Sequence, residues 1–222
     1  MSGGFQSDTV RGRFIALEGG EGTGKSTQAR LLAQALERRG ILVDVTREPG
    51  GTPGAEAIRT LLLHPPGDAG WGAEAEALLF AAARSDHVAK RIRPALESGA
   101  WVVCDRFIDS SRAYQGGAGG LGDEAITALH AIGSNGLRPD LTLLIDVAPE
   151  QTAKRLALRD GLARDAIGGR SEAYHASVAS SFRALASRDP EGFAIIDGNA
   201  QAHEVHDAIM HAIKERAGLG PE

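Results

Sequence analysis

The chain has 222 residues, 42% hydrophobic and 24% charged, with a formal net charge of −5. That size and balance suit one compact α/β domain with a sizeable core and argue against a second full domain. The acidic balance argues against nucleic acid as a partner. The richest apolar run, Ala77 to Ala83, falls far short of the ~18 residues of a membrane span. Cys104 is the only cysteine, so no intrachain disulfide can form and a reducing, cytoplasmic setting is expected.

Met1 to Gly12 is polar and glycine-containing, without the apolar core of a signal peptide, and reads as a frayed extension. Arg13 to Glu18 is a short apolar run of the kind that forms a buried parallel strand. It ends at Gly19-Gly20-Glu21-Gly22-Thr23-Gly24-Lys25-Ser26-Thr27, where Gly19, Gly24, Lys25 and Ser26 complete the G-x-x-x-x-G-K-[ST] spacing of a phosphate-binding P-loop. Glycine lets backbone N–H groups converge on a phosphate, Lys25 supplies a point charge, and the Ser26 hydroxyl suits Mg²⁺. Ala29, Leu32, Ala33 and Leu36 then form the stripe of an amphipathic helix that stops at Gly40. A helix starting near Lys25 directs its positive dipole end at the loop.

Four further apolar runs follow: Ile41 to Val45, Trp101 to Cys104, Leu141 to Ile145 and Phe193 to Ile196. Between the second and third lies a long helical pattern, about Ala73 to Ser98, with Leu78, Ala82, Ala89, Ile92 and Leu96 on one face and Pro94 expected to kink or restart it. After the fourth run, Glu150 to Arg159 reads as a helix and Asp160 to Gly169 as a polar flap. Helices over about Ser171 to Ser187 and Val205 to Ile213 flank the fifth. Near-continuous hydrophobicity in five runs implies strands covered on both faces, hence a doubly wound five-stranded parallel sheet with ligands at its carboxyl edge. Gly19 to Ser26, Arg47 to Thr52, Asp105 to Gln115 and Asp146 all fall at that edge.

A P-loop alone does not separate a kinase from a nucleotide switch or a motor ATPase. Three more segments bear on the choice: Thr46-Arg47-Glu48-Pro49-Gly50-Gly51-Thr52, Leu79-Phe80-Ala81-Ala82-Ala83-Arg84, and Asp105-Arg106-Phe107-Ile108-Asp109-Ser110-Ser111-Arg112-Ala113-Tyr114-Gln115-Gly116. Singly, each has a structural reading, as a turn ion pair, a core aromatic or a strand-end salt bridge. With the P-loop, in this order, they resemble the thymidylate kinases from about Arg13 to the final helix.

The resemblance implies a P-loop nucleoside monophosphate kinase domain over residues 13–217, a mobile lid at about 155–172 and a tail at 218–222. The implied reaction moves the γ-phosphoryl group of ATP, with Mg²⁺, to dTMP, and a homodimer is expected by the same resemblance. Gly19 to Thr27 hold the ATP phosphates, with Ser26 and Asp105 organising Mg²⁺, Asp105 through water. Two phosphate dianions repel, so a cation must hold the acceptor; Arg106 is the first choice and Arg47 assists, within the Arg47-Glu48 segment of the substrate site.

By resemblance, Phe80 stacks on thymine and Arg84, one helical turn later, donates to its O4. Ser110, Ser111 and Gln115 line the nucleoside pocket, Tyr114 blocks a ribose 2′-hydroxyl, and Glu21 approaches the acceptor's 3′-hydroxyl. Some relatives carry a transition-state arginine at the position of Gly22. This chain has glycine there, so Arg155, Arg159, Arg164 and Arg170 of the lid region are the candidates to supply the charge, Arg155 being also readable as solvated. No metal-ligand spacing connects the histidines. The rivals are a kinase for another nucleoside monophosphate or a deoxynucleoside, and a noncatalytic P-loop switch.

Overall fold

The structure, a computed structural model, describes residues 11–67, 70–159 and 166–220, excepting the side chains of 158 and 159. Five strands, β1 (Phe14–Glu18), β2 (Val43–Arg47), β3 (Trp101–Asp105), β4 (Leu141–Asp146) and β5 (Phe193–Asp197), form one sheet in the order β2-β3-β1-β4-β5. Every pairing is parallel, as the continuous apolar runs require. The second strand starts two residues later than its apolar run and ends at Arg47. It is an edge strand whose residues are only half covered, and its register, Val43 on Trp101 through Arg47 on Asp105, is set by β3.

Alternation along β1 divides the core. Ile15 and Leu17 pack on one face with Leu32 and Leu36 of α1 (Lys25–Glu37) and Ile209 and Ile213 of α9 (Ala202–Arg216). Phe14 and Ala16 face the other way, against Ile92, Leu96, Val102 and Phe107. Successive strand side chains point to opposite faces, so one buried strand anchors both layers.

Before β3 the chain forms α2 (Pro53–Leu63) and α3 (Ala73–His87), which runs through a π-helical turn, Val88–Ile92, into α4 (Arg93–Glu97). The Thr52 hydroxyl accepts from Ala55 N–H at 3.2 Å and Pro53 opens α2, a pairing of N-cap and first-turn proline favoured at helix starts. Pro94, which has no N–H for the helical ladder, sits at the start of α4, so the expected restart is a π turn rather than a break.

The apolar face of this helix is not buried along its whole length. Ile92 and Leu96 are buried, but Leu78 is 56% exposed and Ala82 and Ala89 are also exposed. The face that turns inward carries Glu76, Ala77, Ala83, Arg84 and His87. Three of those five are polar, so an apolar periodicity could not find them.

Beyond β3 come α5 (Ile108–Ser111), a second π-helical turn (Arg112–Ala118) and α6 (Asp123–Ser134); α7 (Pro149–Arg159) and α8 (Glu172–Arg188) lie between β4 and β5. Residues 160–165, most of the expected flap, lie outside the described residues. Among the described residues no helix is long and apolar enough to cross a membrane.

Candidate active site

A cavity of about 450 Å³ opens at the carboxyl ends of β1, β2 and β3. The P-loop forms its floor, between β1 and α1. Gly19 adopts φ +140°, and a Cβ there would stand 2.6 Å from the Ile145 carbonyl oxygen, so the close pass of the loop over β4 needs glycine. Lys25 Nζ donates to the carbonyls of Gly19 (3.1 Å) and Gly20 (2.6 Å) and lies 3.3 Å from Thr23 Oγ1. Burial, with the positive charge of Arg106 adding to it, pulls the Lys25 ammonium down to about 8. An anion bound in the loop would reverse that pull.

Gly22, at φ +70°, meets α7: a Cβ there would stand 3.1 Å from Leu156 Cγ. Both backbone and contact resist a side chain at the position where some relatives carry arginine. The neighbouring Arg155 lines the cavity and donates to the Gly198 carbonyl at 2.8 Å.

The end of β3 supplies the next layer. Ser26 Oγ donates to Asp105 Oδ2 at 2.5 Å, bringing together a hydroxyl and a carboxylate beside the loop. Such a pair of hard oxygens, with no third acidic, histidine or cysteine ligand grouped with it among the described residues, fits Mg²⁺, which keeps waters and phosphate oxygens in its shell, and does not resemble a transition-metal site.

Arg106 follows in the left-handed region, φ +71°, a conformation costing a non-glycine residue about 1–2 kcal/mol. Its N–H donates to Leu17 O at 2.9 Å, which holds the turn. The turn carries the guanidinium back over the P-loop, where it donates to Gly19 O (2.9 Å), Glu21 Oε1 (2.6 Å) and Ser110 Oγ (3.1 Å), 5.2 Å above the Tyr114 ring. Lys25 and Arg106 thus share one loop carbonyl. Arg106, ahead of the opposing effect of burial, draws the Glu21 carboxyl down to about 2, and the Tyr114 hydroxyl lies 3.3 Å from the same oxygen.

Beneath this turn Glu18 is wholly buried. It accepts from Phe107 N–H (2.8 Å), Ser110 N–H (3.0 Å) and Ser110 Oγ (2.6 Å), so it ties β1 to the loop that carries Arg106. Burial chiefly, with Asp109 nearby, raises its carboxyl to about 7.

The third wall comes from β2 and α3. Arg84 Nε donates to Glu48 Oε2 at 2.7 Å, and its Nη2 donates to Ser111 Oγ (2.9 Å) and Phe107 O (3.3 Å). Glu48 also accepts from His87 Nδ1 at 3.0 Å, and His87 Nε2 lies 2.7 Å from Thr46 Oγ1. Burial pushes the Glu48 carboxyl up, but Arg84 and His87 together hold it below its ordinary value. Glu48 therefore acts mainly as the buried partner that aims Arg84. Phe80, one turn before Arg84, is half-buried at the cavity wall. Arg47 lies at the rim, paired with Glu56 Oε1 at 2.9 Å.

Of the residues expected from sequence, Glu21, Gly22, Gly24, Lys25, Ser26, Thr27, Arg47, Glu48, Phe80, Arg84, Asp105, Arg106, Ser110, Ser111, Tyr114 and Gln115 line this one cavity. Gly19, Gly20 and Thr23 belong to the loop beneath it. Arg170 stands elsewhere: it donates to Glu76 Oε2 and to Tyr174 Oη (2.5 Å), 4.7 Å above the Tyr174 ring. The Arg159 side chain and all of Arg164 lie outside the described residues. Arg59 and Leu63 line the cavity without having been expected, beside Pro49 of the Arg47 to Thr52 segment and Ile167 of the expected lid; Arg59 arrives on α2 and donates to Pro49 O at 2.8 Å. The start of α2 was signalled by Thr52, Pro53 and Glu56, residues that favour a helix N-terminus.

The parallel sheet, the P-loop at β1 and a second arginine-rich wall facing it define a P-loop kinase of the nucleotide class. The thymidylate kinase family model matches residues 17–209. The thymidylate kinase of Rhizorhabdus wittichii is 57% identical over 204 residues, 92% of this chain and 98% of that protein. Those of Rhodopseudomonas palustris (strain TIE-1) and Chromohalobacter salexigens are each 49% identical, over 94% and 92% of this chain and 91% and 96% of their own lengths. The chain belongs to the thymidylate kinase family.

Proposed function

We propose that the chain phosphorylates dTMP to dTDP in dTTP synthesis, with ATP as donor and Mg²⁺ bound at Ser26 and Asp105. Membership of the family carries the acceptor, and the convergence of Lys25 and Arg106 on the Gly19 carbonyl, with Glu21 between them, is the observation that carries the residue roles. A donor phosphate takes the loop N–H groups and Lys25, and an acceptor phosphate takes Arg106, with Arg47 and Arg59 at the rim. The two are brought into line across a few ångströms. Mg²⁺ bound beside Ser26 would draw off charge building on the phosphate oxygens.

No carboxylate serves as base. Glu21, held near 2, stays ionised and suits the acceptor's 3′-hydroxyl, while an already ionised phosphate oxygen attacks. Phe80 stacks on thymine, Arg84 donates to its O4, Ser110, Ser111 and Gln115 line the nucleoside pocket, and Tyr114 fills the space a ribose 2′-hydroxyl would need. With Gly22 packed on Leu156, the transition-state charge is supplied by the lid, from among Arg159, Arg164 and Arg170, with Arg155 at the cavity mouth. The enzyme is cytoplasmic and a homodimer, for which exposed Leu78 on α3 and Ile132 on α6 offer apolar surface.

Arg106→Ala tests the assignment. Transfer to dTMP falls by about 10²-fold or more, as for loss of a group positioning charge, while ATP binding changes little. Equal losses in both would move Arg106 to the donor side.

A further inference from the structure

Glu76 has no place in the reaction described above, yet it is nearly buried and shared between two walls. One oxygen accepts from Gln115 Nε2 at 2.8 Å, and the other accepts from Arg170 Nη2. We propose that Glu76 is a positioning residue that fixes which end of the Gln115 amide faces the acceptor base, and thereby sets part of the preference for thymine over cytosine. The inference rests on the base placement proposed above.

A carboxylate oxygen facing a donor accepts, and both Glu76 oxygens are engaged in this way, one by Gln115 and the other by the Arg170 guanidinium. The Gln115 amide must therefore give Glu76 its NH₂ end. Gln115 is itself 3% exposed and lines the cavity with Phe80 and Arg84. With its nitrogen engaged, Oε1 is the end left for the cavity, and the polarity of the pocket is an acceptor beside the Arg84 donors.

The thymine edge places an O4 acceptor next to an N3–H donor. Cytosine inverts both, with an amino donor at position 4 and an acceptor at N3. Arg84 can only donate, so it reads the first atom. A pinned Gln115 can only accept, so it reads the second. An amide free to turn over would offer NH₂ to cytosine N3 and cancel that half of the discrimination. Tyr174 steadies the same corner, donating to the Tyr114 carbonyl at 3.0 Å while accepting from Arg170.

The test is the ratio of kcat/KM for dTMP to that for dCMP in Glu76→Gln, a near-isosteric change whose amide can donate or accept. The ratio should fall about tenfold, the equivalent of one mispaired buried polar group, through a higher KM for dTMP and a lower one for dCMP, with KM for ATP unchanged. An unchanged ratio in a folded Glu76→Gln overturns the proposal, because a merely structural role would alter thermal stability or kcat without moving it. Gln115→Leu separates the two layers: if it leaves KM for dTMP unaltered, the base placement is at fault rather than Glu76. The exchange Glu76→Gln with Gln115→Glu keeps an acceptor towards the base, so it should return the ratio towards wild type. It carries the test alone if Glu76→Gln does not fold, and a ratio as low as that of Gln115→Leu would then refute the proposal.

Discussion

Replacing Glu48 by alanine removes a carboxylate that holds two donors, Arg84 Nε at 2.7 Å and His87 Nδ1 at 3.0 Å, in a place where Arg84 is 3% and His87 0% exposed. The guanidinium of Arg84 keeps Ser111 Oγ and Phe107 O, both neutral, and is left as an uncompensated buried charge. Breaking a buried pair from one side costs about 3–5 kcal/mol, and at about 2–4 °C per kcal/mol for a domain of this size the melting temperature drops by roughly 6–20 °C. Urea unfolding at pH 7 measures the loss directly. Replacing the charge pair, as Glu48→Leu with Arg84→Met, should recover part of the stability, since an apolar pair of similar volume is often neutral while His87 Nδ1 still loses its acceptor, but not the turnover with dTMP. The pH dependence has a definite sign. The folded Glu48 carboxyl lies below its ordinary value, so its contribution is complete above the unfolded value of about 4.3 and is lost as pH falls through the folded one. The gap between wild type and Glu48→Ala should then narrow only in acid. A Glu48→Ala protein within 1 kcal/mol of wild type at pH 7, on the scale of an exposed pair, would refute the reasoning.

Glu18 predicts the opposite trend. Its carboxyl is raised from 4.5 to about 7, so the folded state holds a proton that the unfolded state has released, and stability should decline as pH rises across that window, by at most about 1.4 kcal/mol per unit, levelling above it. Glu18→Gln should flatten this slope in urea titrations between pH 4.5 and 8, and a slope shared by both proteins would contradict the assignment. Gly22→Arg should not reproduce the relatives that carry arginine there. The residue must adopt φ +70° against Leu156, so thermal unfolding should show a loss of about 1–3 kcal/mol; an arginine accepted without loss would mean that α7 yields readily.

The parts of the fold written in short-range pattern were legible: β1, the P-loop and α1 follow from an apolar run, four fixed positions and a helical stripe. The wall containing Arg84 was legible only by resemblance, because on α3 the polar Glu76, Arg84 and His87 turn inward where apolar Leu78 and Ala82 turn out. Those polar residues are buried by partners distant in sequence: Glu48 lies 36 residues from Arg84, and Arg170 lies 94 from Glu76. No local signal encodes such pairs. Arg59 escaped for a related reason, since it reaches the cavity only after the turn through Pro49 to Thr52 sets the direction of α2. Arg106 was expected at the site, but its left-handed backbone, which turns the guanidinium over the loop, emerges only with Leu17 O and Glu18 in place.

The most direct test of the account is ADP release by the purified chain with ATP and Mg²⁺ and, in turn, dTMP, dUMP, dCMP, AMP and thymidine. The account predicts turnover dependent on dTMP, kcat/KM for dTMP exceeding that for dCMP by about tenfold or more, and none with thymidine, which lacks the phosphate that Arg106 is placed to hold. ADP release indifferent to dTMP, or faster with thymidine than with dTMP, would contradict it.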